Sequence, residues 1–374
     1  MQRMPRMSEP RRATIEDVAA RAGVSVSAVS KVLRDAYGVS PRMRERVTSA
    51  IEELRYRPHA GARGMRGRSY TIGVMLVELT SPFQVEVAAA ITESLQTTPY
   101  QDIIVTGGVT PERHKRAIEA LIDRQVDGLI LIAPQTKVEW IEEIAGSLPT
   151  VVVALHGASA HFDTVVDDDK KGAQIMVDHL VDLGHRNIVH TSMSGAKLRR
   201  PFALSHTARR DGYEHAMRRN GLQPDVIVTS YTEEGGYDAA CQALDRTEPP
   251  TAIFAGADIA ALGVLRAAEE RGLRVPHDLA VAGYDNIYVS TIKRISLTTV
   301  DQSGRITGAT STRLLLERID GRIDPAHSVI PPQLIIRATS GPAPRRRTDT
   351  DAEPGIPQPR SARAASTRGI RARS

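Results

Sequence analysis

From Tyr70 onward the chain alternates short apolar runs with amphipathic ones, and that alternation leaves few folds open to it. YTIGVML, VEVAAAITESL, DIIVTGG, HKRAIEALIDRQ and DGLILIA follow one another in the first half. NIVHTSM, ARRDGYEHAMRRN, DVIVTSY, GYDAACQAL, TAIFAGA, IAALGVLRAAEERG and LAVAGYD repeat the pattern in the second. Near-continuous apolar strands separated by helices mark a mainly parallel sheet covered on both faces. Two such runs imply two similar lobes. Sheets of this kind bind ligands outside the carboxyl ends of their strands, so a cleft between the lobes is lined by the loops that follow them.

A different pattern precedes this body. Thr14 can cap a helix whose inward face is Ile15, Val18, Ala19 and Ala22, and Gly23 suits the positive φ of a tight turn. Ser25 can cap a second helix on which Val29, Val32 and Leu33 form the packing stripe, leaving Val26, Ser27 and Lys31 outward. Ser40 and Pro41 open a third helix, with Val47, Ile51 and Leu54 closing a small core. In a helix-turn-helix the start of the second helix enters the major groove. Hydroxyl and ammonium groups there bond base edges, and Val26 would meet a thymine methyl. On these residues alone, an ordinary helical hairpin with a solvated polar face is the other reading.

The runs TIEDVAARAGVSVSAVSKVL and VSPRMRERVTSAIEELRYRP, followed in order by the strand and helix motifs above, resemble the lactose-repressor (LacI/GalR) family of bacterial transcription regulators over about residues 12–340. The resemblance implies an N-terminal all-α helix-turn-helix headpiece with a hinge helix. A two-lobed α/β core like that of periplasmic sugar-binding proteins follows, crossed three times between lobes, with a small molecule in the cleft. It places Val26, Ser27 and Lys31 at base-reading positions and Thr14, Ser25 and Ser30 beside them on the DNA side. It makes 58–66 the hinge, with His59, Ala62 and Met65 at the minor groove and Met65 as the apolar lever that opens a base step. Two departures stand out. His59 occupies a place where asparagine is common, and Gly64 costs an already short helix about 0.8 to 1 kcal/mol relative to alanine. The hinge should therefore depend on DNA for its folding.

Charge follows the same division. The 374 residues carry a net +5, but residues 1–68 hold 15 Lys and Arg against 7 Asp and Glu, residues 69–341 hold 26 against 34, and the remainder 8 against 3. A basic head on an acidic body favours phosphate contact by one end only. The one cysteine, Cys241, excludes an internal disulfide and a cysteine-rich zinc site. No apolar run reaches membrane-spanning length, and MQRMPRMSEPRR has no apolar stretch behind it to make a secretory signal. The expectation is a cytoplasmic protein, nucleoid-associated when bound to DNA, with no membrane partner.

The expected organisation is a disordered basic N-terminus (1–12), the helix-turn-helix domain (13–57), the hinge and linker (58–68), an effector-binding and dimerisation core (69–341) and a disordered tail rich in Arg, Pro, Ser and Ala (342–374). The first lobe takes about 69–164 plus 299–328, the second about 165–298 plus 329–341. The tail lacks leucine heptads for a tetramer, so a homodimer is expected. Its arginines could add loose DNA affinity or simply solubilise.

Candidate effector residues follow from loop position and from the resemblance. Phe83 follows the first strand, Arg209 stands at the family's effector-arginine position before DGYEHAM, Tyr231 follows a strand, and Asp285 ends LAVAGYD. An arginine and an aspartate across a cleft can orient hydroxyls or a carboxylate, while Phe83 and Tyr231 could cover apolar faces. By position alone Asp285 suits a turn or cap equally well, and Phe83 suits core packing. Ala257 stands where the family often has a ligand-bonding asparagine; Asp258 beside it is expected to hold the loop, and DDDKK (167–171) could place a carboxylate at the cleft, with a solvated loop expected for most of it.

The expected partners are double-stranded operator DNA, a carbohydrate-like effector and a second copy of the chain, with no cofactor or metal. A solute-binding protein would need a secretory signal and no helix-turn-helix. An enzyme is disfavoured because HExxH, GxSxG and the P-loop are absent. The function expected is that of an allosterically controlled transcriptional repressor.

Overall fold

The computed structural model describes residues 13–33, 37–56, 68–194 and 202–344. The head is three helices, α1 (Ile15–Ala22), α2 (Val26–Leu33) and α3 (Pro41–Glu53). Val18, Ala19, Ala22, Val29, Val32, Val47, Ala50 and Tyr56 close its core. Thr14 and Asp17 cap α1 reciprocally: the Asp17 amide donates to the Thr14 hydroxyl at 3.3 Å, and the Thr14 amide to the Asp17 carboxylate at 2.7 Å. Gly23 ends α1 at φ 62°, where a side chain would be strained. Arg46 of α3 then donates to the carbonyls of Ala22 and Gly23, putting a cation on the negative end of α1. Leu33 departs from the expected packing stripe. It is the last residue of α2, 38% exposed and outside the buried core of the head.

The core begins with β1 (Thr71–Leu76), α4 (Pro82–Leu95), β2 (Gln101–Thr106), α5 (Pro111–Ile122), β3 (Gly128–Ile132), α6 (Val138–Ala145), β4 (Thr150–Val153), β5 (Leu155–His156) and β6 (Asp163–Asp167). It continues with α7 (Asp169–Asp182), β7 (Ile188–Ser192), β8 (Ala203–Leu204), α8 (Ser205–Arg219), β9 (Asp225–Val228), α9 (Glu233–Leu244), β10 (Ala252–Ala255), α10 (Asp258–Glu270), β11 (Ala280–Ala282) and β12 (Thr299–Asp301). Then come α11 (Gly304–Ile319), β13 (His327–Ile330) and β14 (Gln333–Ile335).

The first lobe is a six-stranded parallel sheet, ordered β13-β6-β4-β3-β1-β2, and the second a four-stranded parallel sheet, ordered β11-β10-β7-β9. Inner strands such as β3 are buried at every residue, as helices on both faces require. Each lobe buries two apolar clusters, one on either side of its sheet.

Strand pairing shows where the chain changes lobe. β6 runs in the first sheet to Asp167 and β13 to Ile330, past the expected limits of 164 and 328. Thr299–Asp301, expected in the first lobe, pairs antiparallel with β14, and Val300 is buried in the second-lobe core. The passages therefore fall after Asp167, between Asp301 and Gly304, and between Ile330 and Gln333. Apolar patterning does not mark such points, because where a strand ends depends on its pairing partner and not on its own composition: β6 ends on Asp167, β12 on Asp301 and β13 on Ile330. The expectations for 1–12, for most of the hinge and for nearly all of the tail fall on 1–12, 57–67 and 345–374, outside the described residues. Among the described residues no helix is long and apolar enough to cross a membrane.

Candidate DNA-reading and effector sites

On α2 the sequence separates two faces. Val29 and Val32 are buried against α1 and α3, while Val26 (41% exposed), Ser27 and Lys31 face outward. The Ser25 hydroxyl accepts the Ala28 amide at 3.2 Å and lies 2.8 Å from the Ser27 hydroxyl. Ser30 is half-buried at the edge of this face. Thr14 is half-buried with its hydroxyl engaged by Asp17, so its local work is to start α1. The surface is thus a short helix start carrying two hydroxyls, one methyl-rich side chain and one ammonium, with free reach into solvent. His59, Ala62 and Met65 lie outside the described residues. Where the chain enters the core it is fixed. The amides of Ser69 and Tyr70 donate to Asp127, each at 2.7 Å, and Arg68 bonds Asp320 at 2.9 Å and the Ile319 carbonyl at 2.8 Å.

Between the lobes the chemistry gathers on Arg209, in the second turn of α8 and only 3% exposed. Its Nε and Nη2 donate to Oδ1 of Asp169 at 3.1 and 2.7 Å, its Nη1 donates to the Gly256 carbonyl, and its guanidinium lies 3.5 Å over the Tyr284 ring. Burial pushes Asp169 up, but Arg209 and then His156 outweigh it and hold the carboxyl at about 2. Asp285 is buried and accepts from Gln302 Nε2; burial raises its pKa well above the usual range against the pull of Arg209. Asp167 is likewise raised, by burial and by the neighbouring Asp169, and accepts the Tyr284 hydroxyl at 2.7 Å. Tyr231 stands edge-on to His206 at 6.5 Å, with its hydroxyl so close to Gly256 that a Cβ there would lie 2.2 Å away.

Arg209 and Tyr231 meet at Gly256, whose carbonyl takes the guanidinium and whose Cα faces the tyrosine hydroxyl, and Asp285 directly follows Tyr284, the ring under that guanidinium. The Phe83 ring is packed in the first-lobe core, beside the start of α11 at Gly304. Asp258 accepts from the Ser290 and Thr299 hydroxyls at 2.6 Å each and from the Ile287 amide at 3.0 Å, pinning the loop after Asp285. Ala257 is buried at the cap of α10, with no side-chain bond to offer.

Tyr284, Gln302 and His156 were missed, and Asp167 and Asp169 were legible only as members of a run that could place a carboxylate at the cleft. The DDDKK run is not a solvated loop: Asp168 caps α7, and the carboxylates on either side of it are buried. The legible signal was three consecutive acids directly after the apolar pair Val165–Val166, where a helix N-terminus follows. What it lacked was the identity of the buried cation.

Residues 14–59 match the family model "Bacterial regulatory proteins, lacI family", and residues 177–340 match "Periplasmic binding protein-like domain". The chain is 34% identical over 307 residues to catabolite control protein A of Priestia megaterium, covering 81% of this chain and 91% of that one. The lac repressor dimer bound to operator and the anti-inducer ONPF superposes with a TM-score of 0.74 at 28% identity, covering 88% of this chain and all of that one. A LacI family transcriptional regulator from Enterococcus faecium with bound ribose gives 0.64 at 28% identity, covering 73% and 99%.

Proposed function

The chain belongs to the lacI family of bacterial regulatory proteins, and on that premise we propose that it is a cytoplasmic repressor. As a homodimer it reads an operator through α2, under control of a small polyhydroxylated effector held at Arg209. Ser27 and Lys31 bond base edges and Val26 packs on a thymine methyl, while Thr14, Ser25 and Ser30 orient the head on the backbone. His59, Ala62 and Met65 act at the minor groove. Arg209, Asp285 and Tyr231 hold the effector, the first two by hydrogen bonds to hydroxyls and Tyr231 by its ring. No cofactor takes part, and neither site is assigned catalysis.

The observation that carries the reading is the Arg209 cage. A buried guanidinium fixed on three sides, between two lobes, suits orientation of a polar small molecule and has no use in DNA contact. Relatives support both halves: one solved neighbour is a dimer bound to operator, another holds ribose. Two measurements test it. Melting temperature is followed across neutral sugars, sugar phosphates and nucleosides, where a ligand at a hundred times its Kd adds about 2.7 kcal/mol of stability. DNA selected in vitro by the full chain should show two half-sites. Arg209→Ala with an undiminished shift for the same compound overturns the effector assignment; failure to enrich any sequence overturns the reader.

A further inference from the structure

Among the described residues, three bonds between side chains tie the first lobe and its return passage to the second, and all three end on the shell of Arg209. Tyr284 donates to Asp167 at the end of β6, Gln302 on the second passage donates to Asp285, and His156 of β5 lies 2.8 Å by Nε2 from Asp169 of α7. The third differs from the others because it shares a carboxylate with the guanidinium. Arg209 takes Oδ1 of Asp169 with two donors, and His156 takes Oδ2. Whatever draws the guanidinium toward a new partner changes the charge and placement of the group His156 holds. The backbone repeats the link: β5 pairs antiparallel with β8, Leu155 with Leu204 and His156 with Ala203, and β8 runs directly into the helix that bears Arg209.

We propose that His156 is the positioning residue through which occupation of the Arg209 site is passed to the first lobe. The proposal rests on Arg209 being the effector contact. From the first lobe the path to the DNA is short, since the chain leaving the hinge is clamped there by Asp127 and Asp320. His156 suits the role because its side chain is 22% exposed. It is a joint at the rim of the core.

Linkage makes the proposal testable with DNA alone, because a joint that carries the cleft's state to the head must respond when the head is occupied. The full chain is exposed to deuterium with and without a duplex selected in vitro by the wild type. On adding duplex, amides 15–33 gain protection, and amides 153–157 and 168–173 change their exchange rate severalfold. In His156→Ala the head still gains protection and the change at 168–173 is lost. His156→Gln, whose amide nitrogen reaches as far and still donates, restores it. A full response in the alanine variant, no response at the joint in wild type with a protected head, or loss in the glutamine variant as well overturns the proposal. A duplex that leaves 15–33 unprotected in wild type overturns the DNA-reading assignment instead.

Discussion

A guanidinium at 3% exposure persists only if every direction around it is answered, and around Arg209 Asp169, Gly256 and Tyr284 do so. Removing the anion is the severe change: Asp169→Ala should cost about 3 to 5 kcal/mol in urea unfolding, because it strands a buried cation. A loss below about 1 kcal/mol would show that water reaches Arg209. A second expectation concerns pH. Burial holds His190, packed against Tyr213 and Phe254, at about 3, against the ordinary 6.5. Its folded pKa is depressed, so its contribution is complete above the unfolded value and is lost as pH falls from 6.5 toward 3, where the unfolded chain takes up a proton the folded one refuses. His190→Phe cannot titrate. Measured from pH 7 to 4.5, its stability relative to wild type should improve steadily on acidification; a constant gap would mean that His190 protonates in place. Arg209 and Asp285 could be singled out from loop position and resemblance. The aspartate that pairs with the guanidinium, Asp169, was legible only as one acid of a run that could reach the cleft, because a run of three acids is ordinarily a solvated surface.

At the scale of elements, local chemistry was the most legible part. Thr14, Gly23, Ser25, Ser40 and Pro41 start and stop the head helices where their side chains and backbone freedom place them. The two-residue strands β5 and β8 were invisible, since two residues carry no period, yet they join the lobes. The crossing of α9 and α10 was equally hidden. It depends on backbones in contact, so that a Cβ on Gly263 would lie 1.9 Å from the Glu233 carbonyl oxygen. Gly263→Ala should force the helices apart and lower stability by about 1 to 3 kcal/mol or more, read as a fall in melting temperature; an unchanged Tm would mean the pair has room to slide. For α2 the expected outcome is informational. Lys31→Ala should relax base preference at one position in each selected half-site, whereas weaker binding to every sequence alike would make Lys31 a phosphate contact.

Over the whole molecule, charge and architecture agree. The net positive charge lies in the first 68 residues and the tail, and the lobes between them are acidic. DNA should therefore be gripped at one end, with each neutralised phosphate adding about 0.9 to the slope of log affinity against log salt. The two-lobed plan was readable because strand and helix periods alternate twice along the chain. The points of passage between lobes were not, because pairing partners such as β12 and β14 are more than thirty residues apart. Control of the head by the cleft is the central claim, and the operator Kd, measured at one salt concentration with and without the compound that most raises the melting temperature, tests it most directly. A change of roughly 5- to 150-fold is expected, with the same factor appearing in the compound's own Kd when operator is present. An operator Kd that stays the same with the cleft saturated would contradict it.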